Sequence, residues 1–361
     1  MIKNFLVVLV CFFTVFSSQA QTNTVSENVV LITLDGMRWQ EVFGGVDTAL
    51  VNSKQFTLNP NEVTRKFYDS LITNRRSKLF PFLWSTIANQ GVILGNRWRG
   101  SLVNNANKYW FSYPGYNELL TGYPDSNMNT NDKIWNPNEN VLEFINKKQA
   151  FNGKVAAFTS WDVFPYILNV KRSGLYVNSD KDSLRFSDAN LQLVNSMQFI
   201  APEPLGLRQD VFTYFAAREY LKTYKPKFLY IAFDETDDFA HGGMYDQYLK
   251  SAHAEDAMIA DLWNIIQKTP EYKNKTTLII TCDHGRGDKI KETWKHHGSN
   301  IEDAGQIWIA ALGPSIKPLG ELTNQTQVIY QKQIAATIAK LLGFEFITNH
   351  PVASPIQFIL K

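Results

Sequence analysis

Along the chain, runs of consecutive apolar residues stop abruptly in acids or histidines at three places. Residues 278–282, within TLIITCDHG (277–285), are short, β-branched and apolar, the pattern of a strand covered on both faces of a sheet. Asp283, His284 and Gly285 follow at once. VVLITLDG (29–36) ends the same way in Asp35, and FLYIAFDETDDFAHGG (228–243) delivers Asp234, Asp237 and His241. Ligands of open α/β sheets collect at the carboxyl ends of the strands. Three such strands therefore predict one shared metal site.

The rest of the pattern alternates between strand and helix. Residues 91–100, 154–160, 227–233 and the segment QIWIAALG read as strands. Helices are expected near 61–72, 79–90, 116–120, at the end of 132–145, and over 211–221, 246–267 and 332–342. Pro114 is tolerated in the first turn of the 116–120 helix and Gly122 follows its end, which puts Ser112 at or just before a helix N-terminus. Residues 161–205 carry prolines, a charged patch and weak periodicity, and read as a peripheral insertion. The alternation implies an α/β fold with a largely parallel central sheet and helices on both faces. Residues 21–361 are long enough for one large domain.

Composition narrows the function. Thirty-six Lys and Arg against thirty-four Asp and Glu leave a near-neutral chain, which argues against nucleic-acid polymer binding by bulk charge. Residues 1–20 read as an export signal: Lys3, an apolar centre over 5–16, and SSQA before Gln21. The apolar run falls short of the roughly 20 residues of a membrane span. A mature chain from Gln21, periplasmic or secreted, is expected. It would keep Cys282 as its single cysteine and need no disulfide.

Asp237 and His241 are four apart, a spacing that puts both on one side of a helical turn, within reach of one ion. Asp283 and His284 are adjacent at a strand end. Carboxylate oxygen and imidazole nitrogen suit zinc, with manganese as the alternative. Four of the six histidines, His241, His284, His296 and His297, lie in or beside these motifs. Any one of them alone would read as a satisfied core histidine, and an isolated Ser112 as a helix N-cap. A helix N-terminus also offers N–H groups to phosphate, and a metal-bound hydroxyl becomes a nucleophile. No GxSxG elbow and no GxxxxGK[ST] loop is present, which disfavours an ordinary serine hydrolase and excludes a P-loop NTPase.

Taken in order, LDG, SYPGYNELLTGYP, DETDDFAH, CDHG and HHG resemble the alkaline phosphatase superfamily, in particular its type I phosphodiesterase and nucleotide pyrophosphatase branch, over residues 28–315. The resemblance implies Ser112 as nucleophile. It implies one zinc site of Asp35, Ser112, Asp283 and His284 and a second of Asp237, His241 and His297. His297 is preferred to His296 because it directly precedes glycine. The phosphate-contacting asparagine falls on Asn131, with Asn129 the alternative. Where the family often has Asn-His after the proline of the nucleophile motif, this chain has Gly115 and Tyr116. Two divalent ions about 4 Å apart and a phospho-serine intermediate are implied, with a small phosphoester as substrate.

Other readings are weaker. A sulfatase would need a CxPxR-like context, and Tyr116 stands at the Arg position. A phosphomutase would need a long second domain, and a non-catalytic relative would lack a ligand. Monoesterases of the superfamily aim an Arg or a Lys–Arg pair at the phosphate after a strand that KVAAFTS resembles. Here Ser160, Trp161, Asp162 and Val163 follow it, leaving Lys108 and Lys133 as substitutes. That difference favours a diester, with Trp110, Phe111, Tyr113 and Tyr116 as a possible aromatic wall for its second substituent.

Overall fold

The computed structural model describes residues 25–202 and 206–361, so the expected export signal lies outside the described residues. Among the described residues eleven strands follow in chain order: β1 Asn28–Leu34, β2 Val92–Leu94, β3 Val103–Asn104, β4 Val155–Thr159, β5 Tyr176–Ser179, β6 Phe228–Phe233, β7 Thr276–Thr281, β8 Gln306–Ile307, β9 Ile309–Leu312, β10 Gly320–Glu321 and β11 Ile329–Tyr330. Eight form the central sheet in the order β10-β2-β9-β7-β1-β6-β4-β5, and β11-β3-β8 form a small second sheet. β1 lies at the centre, parallel to both β6 and β7. β9 pairs antiparallel with both β7 and β2, so it alone runs against the other seven strands of the sheet.

Every residue of β1, β4, β6 and β7 is buried, as expected of largely apolar strands covered on both faces. The mixed α/β architecture is the one the alternating pattern implies. Register carries the function: Thr33 of β1 sits between Ala232 of β6 and Thr281 of β7, so the three chains leave the sheet at one level. The Asp35 N–H donates to Phe233 O at 3.1 Å, continuing that ladder one step beyond β1.

Several boundaries differ from expectation for local reasons. The expected 61–72 helix is Pro60–Phe67, after which Tyr68 turns extended and a separate helix, Ile72–Leu79, begins. Within 79–90, the chain makes a π-helical turn at Leu83–Ile87 before Ala88–Gln90. Only Val92–Leu94 of 91–100 is strand, because Gly95 at φ 114° turns the chain beside Ile307 and Trp308. QIWIAALG divides at Trp308 between β8 and β9. Within 161–202, Tyr176–Ser179 forms a parallel edge strand on β4, and the helix Ala189–Ile200 follows it.

Candidate active site

At the carboxyl ends of β1, β6 and β7 the predicted side chains converge. Gly36 turns the chain after Asp35 at φ 58°, and its N–H donates to Asp283 Oδ1 at 3.0 Å. A Cβ at Gly36 would lie 2.7 Å from Asp237 Oδ1 and 2.8 Å from Arg286 Nε, so the glycine of LDG is a packing requirement. Asp237 and His241 come from the short helix Glu235–His241 that begins just after β6. Thr236 clips that helix to β1 by donating to Asp35 O at 2.7 Å.

Two groups of close donors result, Asp35–Asp283–His284 and Asp237–His284–His297. His284 Nε2 lies 3.4 Å from Asp35 Oδ1, 3.4 Å from Asp283 Oδ2 and 3.7 Å from Asp237 Oδ1, so it stands between them. His241 Nε2 joins the second group, 3.1 Å from Asp237 Oδ2 and 2.9 Å from His297 Nε2. His284 Nδ1 faces Gly285 O at 2.9 Å, which fixes the tautomer and leaves Nε2, the atom that faces the acids, unprotonated. His296, His253 and His350 stand apart from these groups. The two last bind backbone carbonyls, Leu79 O and Glu139 O, each at 2.9 Å.

The donors fit a cation. Asp35 Oδ1, Asp283 Oδ2 and His297 Nδ1 are buried atoms without a hydrogen-bond partner. Burial, then Asp237, raises the Asp35 carboxyl well above its usual range, and burial, then Asp35, does the same to Asp283. Carboxylates buried this way require a positive charge to stay ionised. Burial and neighbouring His284 push the His297 imidazole down to about 2, so it is neutral, the form able to bind a cation. Asp237 goes the other way: burial opposes ionisation, but Arg286 and His241 outweigh it and hold the carboxyl well below its usual range.

Ser112 opens the ten-residue helix Ser112–Thr121, with Phe111 extended before it and Gly122 closing it at φ 70°. Its Oγ is 3.4 Å from His284 Nε2. Gly115 rests on the backbone of Asp283, where a Cβ would come within 2.5 Å of the carbonyl oxygen. Tyr116, one residue on, donates its hydroxyl to Asp35 Oδ2 at 2.8 Å. The Gly-Tyr step thus brings the Ser112–Thr121 helix against two metal-competent acids. Before Ser112, Trp110 is held at φ 52° with its ring over Gly305, and its carbonyl accepts the Gly298 N–H at 2.9 Å. Asn131 Oδ1 accepts the Tyr113 N–H at 2.9 Å.

Other contributors gave no signal in the sequence. Asn105 and Gln331 both donate to Asp283 O, at 2.7 and 2.8 Å, and fix the turn that carries Asp283 and His284. Arg286 is fully buried and donates to Asp237 Oδ1 and to Lys295 O. Of the aromatics around Ser112, Tyr113 and Tyr116 are core residues, whereas Trp110 and Phe111 are partly exposed.

Solved structures share the architecture at low identity. An alkaline phosphatase, PafA, superposes with a TM-score of 0.61 at 10% identity, covering 93% of this chain and 99% of the other. The lipoteichoic acid synthase LtaP of Listeria monocytogenes gives 0.56 at 12%, covering 89% and 73%. A 2-O GAG sulfatase gives 0.51 at 12%, covering 92% and 74%. Among curated proteins none matches the sequence. The family model for type I phosphodiesterase / nucleotide pyrophosphatase matches residues 43–333. With that match across most of its length, the chain belongs to the type I phosphodiesterase / nucleotide pyrophosphatase family, and it is a hydrolytic phosphoesterase of that family with the fold of an alkaline phosphatase.

Proposed function

We propose that this chain is an exported phosphoric ester hydrolase that works through a phospho-serine on Ser112 and prefers a phosphodiester or nucleotide pyrophosphatase-type substrate. The observation that carries the reading is the placement of Ser112 Oγ, 3.4 Å from the ligand atom of His284, beside the unpartnered oxygens of Asp35 and Asp283. Asp35, Ser112, Asp283 and His284 would hold one divalent ion and Asp237, His241 and His297 another, Zn2+ with Mn2+ as the alternative. When bound, such ions lower the pKa of a hydroxyl and stabilise a departing oxygen.

The chain's own residues account for the rest. Ser112 Oγ gives its proton to solvent and attacks phosphorus, and the bond from phosphorus to the leaving oxygen breaks, the oxygen departing with the electron pair. Water then cleaves the Ser112 phosphoester, returning the hydroxyl and releasing the phosphoryl product. Tyr116 orients Asp35, and Gly115 sets the distance from the helix to Asp283. The Tyr113 N–H needs an acceptor, which assigns Asn131 Oδ1 to it. The Nδ2 group is then the end of Asn131 free to donate to a phosphoryl oxygen.

The export reading rests on residues 1–20 alone, and the apolar pattern there supports a periplasmic or secreted chain beginning at Gln21. Among the described residues no helix is long and apolar enough to cross a membrane. The test of the chemistry compares kcat/KM for bis-p-nitrophenyl phosphate, p-nitrophenyl phosphate and p-nitrophenyl sulfate on one zinc-supplied preparation. Preference for the first supports the reading. A clear preference for the monoester, or for the sulfate, overturns it.

A further inference from the structure

The helix Glu235–His241, which carries Asp237 and His241, has no cap of its own: Asp234 precedes it and makes no side-chain capping bond. At seven residues it is too short to hold its shape unaided. Its first N–H groups are taken instead by a side chain from another helix. Asp210 Oδ1 accepts the Asp234 N–H at 2.9 Å, and Asp210 Oδ2 accepts the Glu235 N–H at 3.0 Å. Asp210 is itself the first residue of the helix Asp210–Tyr224, and Gln209 before it makes no side-chain capping bond either. The Asp210 N–H donates to Glu235 Oε1 at 3.3 Å. Each helix thus opens with an acid that caps the other, a capping box exchanged between two helices. Ser160, just past β4, donates to Asp210 Oδ1 at 2.5 Å, and Ser251 of the helix Tyr245–Lys268 donates to Glu235 Oε2 at 3.0 Å. Glu255 of that same helix is the third acid here. Burial, then Asp210 and Glu235, raises its carboxyl well above the usual range, so it adds no charge.

The cap fixes more than two N–H groups. Thr236 joins the first turn of the short helix to β1 through Asp35 O, and the bonds to Asp210 join the same turn to the helix Asp210–Tyr224. Asp237 follows Glu235 by two residues, and its N–H donates back to Asp234 O at 2.9 Å, so the capped backbone leads directly to the side chains that face His297. Resting on the two-ion reading above, we propose that Asp210 and Glu235 are positioning residues for the ion held by Asp237, His241 and His297, and that they act through this reciprocal cap. The other ion takes Asp35, Ser112, Asp283 and His284, none of which lies on the capped helix. Loss of the cap therefore falls on one ion of the pair, because only that ion draws ligands from a helix that cannot orient itself.

The experiment compares Asp210→Asn and Glu235→Ala with wild type in competitive chelator titrations of zinc, with His241→Ala as the reference that marks the affected ion. Asn at position 210 keeps one acceptor oxygen but turns an amide N–H group on the second backbone donor. Ala at position 235 removes the return bond. In both variants that ion is expected to bind about 10- to 100-fold more weakly, the scale of a ligand's lost support, and the other to stay within about twofold. The kcat for bis-p-nitrophenyl phosphate should recover when zinc is raised by the same factor, which a merely structural defect would not allow. Glu235→Gln keeps an oxygen for the Asp210 N–H and should stay within about threefold of wild type. If Asp210→Asn does not fold, Glu235→Ala, which loses only the longer, partly buried bond, decides the matter. Wild-type affinity for that ion in the folded variants overturns the proposal, as does equal weakening of both ions. Either result, with two ions in wild type and turnover dependent on Ser112, leaves the hydrolase reading standing. A wild type that binds a single ion overturns both.

Discussion

The carbonyl of Trp110 accepts the N–H of Gly298 at 2.9 Å, which ties the residue two before Ser112 to the residue after His297. One hydrogen bond therefore spans the two sides of the site. Trp110 is held in the left-handed region, φ 52°, by Asn107 Oδ1, which accepts the N–H groups of both Tyr109 and Trp110, and by the slot at Gly305. Non-glycine residues adopt that region at a cost of order 1 kcal/mol or more, and such strain collects at functional sites.

Filling the slot tests this. A Cβ at Gly305 would come within 2.7 Å of the Trp110 indole. Gly305→Ala is expected to lower kcat for bis-p-nitrophenyl phosphate by about 10- to 100-fold, the scale of an ångström's misplacement of reacting groups. Steady-state kinetics with thermal melting separates the two effects. Wild-type kcat in a folded Gly305→Ala variant would show that the Trp110 link has no bearing on the chemistry.

Ser112→Ala should abolish turnover, by roughly a thousandfold or more, while leaving the fold and most of the bound metal in place. Stoichiometry by elemental analysis accompanies the rate measurement. An active Ser112→Ala enzyme would exclude the nucleophile assignment.

Two ions per chain are expected, and exhaustive chelation should remove activity, with zinc or manganese restoring it. Asp283→Ala and His297→Ala should each lower the metal content, and His253→Ala and His350→Ala should not. Tyr116→Phe is the finer test. Loss of its bond to Asp35 should weaken metal binding about 10- to 100-fold, the usual scale for a ligand's supporting partner, with the fold retained. Equal affinity in a competitive chelator titration would place Tyr116 in packing alone.

Away from the site, Asp256 caps the Leu83–Ile87 turn by accepting the Phe82 and Leu83 N–H groups at 2.7 and 3.0 Å. Burial pushes its carboxyl up to about 7. The folded state therefore holds a proton that the unfolded chain, near 3.8, has already released. This contribution to stability is fully present below pH 4 and is lost as pH rises through about 7. Between pH 5 and 8, wild type should lose more stability than Asp256→Asn in urea unfolding. Parallel losses would show that Asp256 does not titrate there.

The metal-competent acids and histidines were legible because the sequence places them at the ends of unmistakable buried strands, where period and position agree. Ser112 was legible through Pro114 and Gly122, which bracket its helix. The partners that hold these groups were not. Asn105, Arg286 and Gln331 act across 48 to 226 residues of separation, and nothing in a local pattern distinguishes them from solvated polar residues. The Gly115–Tyr116 step read as a departure from a family motif. Its meaning emerged only when the Asp283 backbone and the Asp35 carboxylate were seen beside it. Strand Tyr176–Ser179 was missed because an edge strand need not be a continuous apolar run, and only two of its four residues are buried.

The place of β1 at the centre of the sheet also sets a timetable. Val29 pairs with Phe228 on one side and Thr277 on the other, so the earliest strand must wait for residues some 200 and 250 positions later. Closing loops of that length precedes any reward from the pairing, which makes folding slow. Until β7 is synthesised, an apolar ribbon with two open edges is exposed, a template for association with other chains. Any truncation before Thr276 leaves that ribbon without one of its neighbours. The arrangement that gathers ligands from distant parts of the chain thus makes assembly all-or-none, and chaperone dependence during synthesis is its natural counterpart.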